Sequence, residues 1–295
     1  MNYQDKLEIV IDYINSLDSN IITNYQINSD IQVTLLIKDK NIAIDFVPNQ
    51  TTTKHYFQYR TIACNNLGIR LITIFEHEFD KKWFKIQNLI SMSLGIFENR
   101  TYARKCFVAE LDSATYRSFL DKYHLQSSIN MSSVRYGLYT NINELVSVIG
   151  FGFNRFKTNE VELHRFCTKS GWQIVGGFSK LLKHSGISNF TSYIDYAHFT
   201  GNGHKQIGFQ QQAITLPSYV YVKNGEVLTR ISCQKHKLQK RFKDFNPLNT
   251  EIQIMKDHGW TQVFDCGCIK MTYQNNSVIN QLPNIQSNTL SNFIQ

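Results

Sequence analysis

Three observations predict a mixed α/β (α+β) chain built as two domains. Extended apolar runs alternate with helical repeats along almost the whole sequence, and a polar stretch near residue 100 divides them into two series. The length of 295 residues, with 42% hydrophobic and 13% aromatic residues, is enough for two cores. The expected division is 1–96, 97–274 and a polar, sparsely charged flexible tail over 275–295.

In the first series, residues 3–16 (YQDKLEIVIDYINS) set Leu7, Val10, Ile11 and Ile14 at helical spacing, and the polar LDSN that follows closes the helix. The runs 31–37 (IQVTLLI) and 41–47 (NIAIDFV), separated by Lys38-Asp39-Lys40, read as a β-hairpin. Residues 54–68 then form a helix ending on Gly68, followed by a strand over 69–75 (IRLITIF) and a helix over 80–95. Glu76, His77 and Glu78 fall in the solvated loop between the last two.

The polar segment 97–104 (FENRTYAR) marks the boundary. A strand (105–111) and a helix (114–125) precede a hairpin of 133–140 and 144–153, whose Val, Tyr and Ile content suits paired strands. Another strand covers 159–169 and carries Arg165 toward a cleft. The run Trp172–Val175 then meets two adjacent glycines that open the helical pattern SKLLK (179–183), so backbone amides and a helix N-terminus converge on one spot suited to an anion. A strand over 189–197, a short helix over 203–207, a hairpin turning at Asn224-Gly225, a basic helix, a helix over 250–257 and strands at 261–265 and 268–273 complete the chain.

Thirty-one Lys and Arg against 23 Asp and Glu leave a net charge of +8, which favours a polyanionic partner such as DNA. The densest basic run is 230–243, with Lys235, Lys237, Lys240, Arg241 and Lys243, and Arg155 is a further candidate phosphate contact. No apolar run approaches the ~20 residues of a membrane span, and the N-terminus lacks a signal-peptide pattern, so no membrane partner and a cytoplasmic protein are expected. Six scattered cysteines read as buried thiols, because Cys266-x-Cys268 with His258 lacks the second ligand pair of a structural zinc site. Serine-hydrolase, zincin and P-loop spacings do not occur.

In IAIDF (42–46), ACNNLGIRLITIFEHEF (63–79) and the helix from Lys81 to Trp83, the first series resembles the nuclease domain of phage and mobile-element homing endonucleases. These are related to very-short-patch-repair enzymes of the PD-(D/E)xK group. The resemblance implies Asp45 as a Mg2+ ligand and His55 as a proton-handling group, in a site weakened by Gln32 and Thr34 standing where the group places Glu and Asp. The second series resembles the acyl-CoA-dependent GNAT superfamily in Gln173-x-x-Gly176-Gly177, the SKLLK helix and Gly208-Phe209. At finer grain it resembles the C-terminal part of phage and mobile-element homing endonuclease-like proteins, and more distantly Mom-type DNA-modifying proteins, in YHLQ (123–126), ELHRFC (162–167), SYID (192–195) and DCG (265–267), with Ser127 where a Gly is usual. This implies Gln173, Gly176, Gly177 and Ser179 at acetyl-CoA or a related acyl-CoA, with Asp195 and His204 handling protons. Phe178 stands where the pattern has Gly or Ala. The leading expectation is a DNA-acting, endonuclease-like protein. The alternatives are an N-acyltransferase modifying a nucleobase or amine, and a non-catalytic DNA-binding or counter-defence protein.

Overall fold

The protein is described by a computed structural model over residues 1–17, 20–154 and 160–275; Arg155 and the expected tail beyond Asn275 lie outside the described residues. Mixed α/β architecture holds throughout, with several separate sheets.

The chain opens with α1 (Tyr3–Ser16), whose start is closed by a reciprocal pair of bonds between Asn2 and Asp5 and whose inner face buries Val10 and Ile14. Next come β1 (Ile21–Gln26), β2 (Gln32–Ile37), β3 (Ile42–Val47), α2 (Tyr56–Asn66), β4 (Arg70–Phe75) and α3 (Glu76–Leu94). The four strands form one sheet in the order β1-β2-β3-β4, antiparallel except for the parallel pair β3/β4. Every residue of β3 is buried, and Ile44, Phe46, Ile72 and Ile74 pack with Val10, Ile14, Ile86 and Ile90. Strand β1 has no counterpart in the sequence reading: IITNYQ is a largely exposed edge strand without an apolar alternation to announce it.

The structure corrects the loop expected at 76–78. Strand β4 runs straight into α3, and Glu76 and Glu78 sit in the first helical turn, where their charge complements the helix N-terminus. As a result the Glu78 side chain is only 13% exposed.

From residue 99 on, the elements are β5 (Asn99–Tyr102), β6 (Phe107–Glu110), α4 (Ser113–Tyr123), β7 (Val134–Tyr139), β8 (Leu145–Phe153), β9 (Val161–Thr168), β10 (Trp172–Val175), α5 (Gly177–Ser185), β11 (Asn189–Asp195) and α6 (Asn202–Gln206). They continue with β12 (Gln210–Ile214), β13 (Tyr219–Lys223), β14 (Glu226–Thr229), α7 (Lys235–Arg241), α8 (Glu251–Asp257), β15 (Thr261–Phe264) and β16 (Cys268–Gln274). Seven strands form the largest sheet in the order β6-β7-β8-β9-β11-β16-β12. All its neighbours are antiparallel except β9 and β11, which run parallel and are in register at only two positions. That brief pairing opens the middle of the sheet toward the C-terminal ends of both strands.

Two features depart from a simple linear reading. The polar segment expected as a boundary supplies β5, which pairs in parallel with β10 and so ties residues 99–102 to the glycine turn. Between β12 and β16 the chain builds a three-stranded sheet, β14-β13-β15, with α7 and α8 on it. Its β13–β14 hairpin turns at Asn224 and Gly225, both in the left-handed region (φ 48° and 79°) that a two-residue turn requires.

The N-terminal sheet and the rest of the chain share buried surface. Val47, Phe57 and Phe75 belong to the same apolar cluster as Tyr196 and Cys266. The Thr73 amide donates to the Ala197 carbonyl at 2.8 Å, and Gln58 Nε2 donates to the carbonyls of Thr215 and Cys266 at 2.8 and 3.1 Å. No helix among the described residues is long and apolar enough to cross a membrane.

Candidate functional site

Asp45 is on the buried strand β3 with its side chain 7% exposed, and its carboxylate is ion-paired with Arg60 of α2. Thr34 Oγ1, directly across the hairpin, donates a further bond at 3.2 Å. Arg60 also donates to the Gln32 carbonyl, so position 32 holds the guanidinium, position 34 bonds the carboxylate, and neither adds a second acid beside Asp45. His55 lies outside this group: its Nδ1 is bonded to Gln58 at 3.1 Å. Among the described residues no group of three or more His, Cys, Asp or Glu side chains is placed to hold a metal ion. The surroundings of Asp45 therefore do not fit Mg2+, whose coordination needs freely available oxygens.

The glycine turn is formed as expected. Gly176 precedes α5 with φ 78°, a conformation that disfavours a side chain even though an added Cβ would meet only Ala103. Gly177 lies against Leu138, which pairs with Ser147, and Ser147 in turn pairs with Thr168. The N-terminus of α5 therefore sits at the level of the C-terminal end of β9. Gly176 and Ser179 are exposed, whereas Gln173 is half-buried in β10, in register with Arg100. Phe178 turns inward, its ring centroid 4.7 Å from that of Phe166 and 5.9 Å from that of Phe209, and this cluster fills the α5 side of the opening.

On the opposite side the opening is a cavity of about 620 Å3. Its walls come from β9 and β11, from the segment after α4, from the start of α6, and from Arg70 and Lys85 of the N-terminal part. Asp195 and His204 both line it, so the structure brings these two expected residues together and leaves Asp45, His55 and the glycine turn elsewhere.

The hub of the cavity is the loop His124–Ser127. Lys85 Nζ donates to the His124 carbonyl at 2.8 Å and to Ser127 Oγ at 3.1 Å, Arg165 Nε donates to the Ser127 carbonyl at 3.2 Å, and Gln126 Nε2 donates to Asp195 at 3.2 Å. Ser127 has φ 56°, in the left-handed region that favours glycine. His124 Nδ1 accepts from the Gln126 amide at 3.1 Å, which leaves Nε2 to carry the proton.

Protonation states here are held away from neutrality. Burial, reinforced by Arg165 and Lys85, pushes His124 down to about 3, and burial alone pushes His204 down to about 4. Burial works to raise Asp195, but the adjoining His198 and the Ala197 amide outweigh it and hold the carboxyl at about 2. His198 Nδ1 lies 3.1 Å from Asp195 Oδ2, and its Nε2, buried without a hydrogen-bond partner, lies 3.9 Å from Glu78 Oε2. Although burial pushes this imidazole down, the two carboxylates raise its pKa overall.

Sequence reasoning missed His198, Glu78, Arg70 and Lys85. Lys85 carried a signal, because it stands four residues before Leu89 on the buried side of α3, where a cation is out of pattern. The other three are joined only by tertiary contacts.

Within the basic run, Lys235–Arg241 form α7, anchored by the buried Leu238 to Tyr221, Met255 and Trp260, and Lys243 follows it. Lys235, Lys237, Lys240, Arg241 and Lys243 are all exposed, and among the described residues Arg241 alone of these forms an ion pair, with Glu226 at 2.6 Å. The expected phosphate contact at Arg155 lies outside the described residues. Cys266 is a buried thiol pushed up to about 12 by burial, while His258 stacks on Phe242 and bonds to Asp244. No family model matches the sequence, and no curated protein matches it either.

Proposed function

We propose that the chain is a DNA-directed group transferase of the acyl-CoA-dependent kind. In this reading the chemistry belongs to the seven-stranded, GNAT-like sheet, and the nuclease-like N-terminal part, residues 1–96, supplies one wall of the acceptor cavity. The observation that carries the reading is the parallel pair β9/β11 of the seven-stranded sheet, which separates after two registered positions with a cavity in the opening. The glycine turn of α5 lies at the level of that open end and offers amides for a pyrophosphate.

The residues present fit such a donor in part. Gly176, Gly177 and Ser179 would hold the anion, and the bound donor would supply an activated acyl group. The cluster of Phe166, Phe178 and Phe209 separates that turn from the cavity, so transfer requires the Phe178 ring to leave its position. Asp195 stays ionised and His124 and His204 stay neutral near pH 7, which makes them positioning groups for an acceptor. The rate then rests on proximity more than on proton transfer, since efficient acid–base groups titrate near the working pH. The exposed basic face of α7 favours DNA as the partner. Phosphodiester cleavage at Asp45 is the weaker reading, because Arg60 already neutralises the carboxylate.

Acetyl-CoA at about 100 times its Kd should add ~2.7 kcal/mol of stability, read as a higher melting temperature. Gly176→Glu should abolish the shift, while Gly176→Asn, which tolerates left-handed backbone, should fold as the wild type does. An unchanged melting temperature at millimolar acetyl-CoA refutes the reading. A mass shift in DNA from cells expressing the protein, absent with Gly176→Glu, would identify the product.

A further inference from the structure

Two cations from the N-terminal part face the cavity without a carboxylate in contact. Lys85 is 9% exposed and spends two of its three donors on the His124 carbonyl and Ser127 Oγ. Arg70 donates Nη2 to the His198 carbonyl at 2.9 Å, and its Nε is enclosed without any partner. Both line the cavity, and among the described residues neither forms an ion pair; Asp121 acts on Lys85 only through its field. Among the described residues the one carboxylate in the lining, Asp195, already accepts from His198, Gln126 and the Ala197 amide. Enclosing two cations without a contacting carboxylate is costly, and a buried charge is ordinarily met by an opposite one.

We infer that Arg70 and Lys85 form an anion subsite for a phosphomonoester whose organic part lies on the apolar wall of the cavity. Two cations match the charge of roughly −1.5 to −2 that a phosphomonoester carries at neutral pH, which a carboxylate meets only by half. Leu89, Leu125, Tyr123 and Phe199 line the same space, and its volume of about 620 Å3 exceeds what a bare phosphate fills. Flat apolar surfaces beside a phosphate site suit a planar ring joined to the phosphate, as in a nucleoside monophosphate. The inference assigns the N-terminal part a role in ligand selection, and it rests on the transferase reading only in casting this ligand as the acceptor.

Binding is measured on the full chain with three probes: inorganic phosphate, adenosine 5′-monophosphate and adenosine. The first two should raise the melting temperature at low ionic strength and adenosine should not. Equal shifts from the nucleotide and the nucleoside would overturn the proposal, and this comparison needs no variant. Lys85→Met and Arg70→Gln should each weaken the nucleotide by about tenfold or more, the usual worth of a hydrogen bond to a charged group, and Lys85→Arg should restore most of the loss. Undiminished affinity in both variants, checked for folding by circular dichroism, would also overturn it. A 5′-phosphorylated oligonucleotide run against its unphosphorylated form distinguishes a DNA end from a free nucleotide as the source of the phosphate. If the nucleotide binds and acetyl-CoA does not, the anion subsite stands and the transferase reading falls. If acetyl-CoA binds and the nucleotide does not, the subsite falls alone.

Discussion

Removing Arg60 tests whether Asp45 is a structural or a metal-binding acid. The Arg60 and Asp45 side chains are each 7% exposed, so neither can turn to water when its partner is lost. Truncating one member of a buried pair costs about 3–5 kcal/mol, because the remaining charge is left without compensation. Arg60→Met leaves Asp45 with the Thr34 hydroxyl as its remaining side-chain partner, and Asp45→Asn leaves Arg60 with the Gln32 carbonyl. Each single variant should therefore lose about 3–5 kcal/mol. At roughly 2–4 °C per kcal/mol for a chain of this size, that is a fall of about 6–20 °C in melting temperature. The double variant Asp45→Leu with Arg60→Met should recover most of the loss, since apolar replacement of a whole buried pair is often neutral. Urea denaturation followed by the fluorescence of Trp83, which stacks on Phe79 in the same core, reads the local unfolding. The reasoning fails if Arg60→Met stays within about 1 kcal/mol of wild type. It fails equally if Mg2+ stabilises the wild type and leaves Asp45→Asn unmoved, because a metal would then be competing with the guanidinium.

Two further outcomes follow from the cavity and the basic helix. Asp195 raises the pKa of His198 above its ordinary 6.5, so the stability from this pair is fully present below 6.5 and is lost as pH rises through the folded-state value. Asp195, held at about 2 against an ordinary 3.8, contributes stability that is present above 3.8 and lost as pH falls toward 2. The unfolding free energy should decline from pH 6 to pH 9 in the wild type, and His198→Gln should flatten that slope; an unchanged slope in urea titrations refutes the pairing. Reversing Lys237, Lys240 and Lys243 to Glu should weaken DNA binding with little preference for sequence and should reduce the salt dependence by roughly one unit per lysine. Undiminished affinity in a filter-binding or anisotropy titration would remove α7 from the DNA interface.

How much of the site was legible depends on the range over which each signal acts. Gly176 and Gly177 announced the α5 turn because a left-handed residue before a helix is a local requirement. Asp195 was visible at the end of an apolar run, and its neighbour His198 lay within three residues, but the burial that pairs them depends on Glu78 and on the helix that carries it. Expecting a loop at 76–78 hid this link. EHE is polar enough to suggest solvent, whereas the structure uses its charge at a helix N-terminus and under the second sheet.

By itself the sequence determined the alternation of strands and helices, the hairpins at residues 133–153 and 219–229, the basic helix and the anion turn, because periodicity, turn chemistry and charge density act within a few residues. Only the tertiary structure decided which charges are spent and which are free. Asp45 looked available and is neutralised by Arg60, fifteen residues away, while Arg70 looks like an ordinary surface cation and, with Lys85, is enclosed against a cavity built largely from residues 123–204. The cost of a charge depends on what surrounds it in space, and that neighbourhood is set by chain segments far apart in sequence.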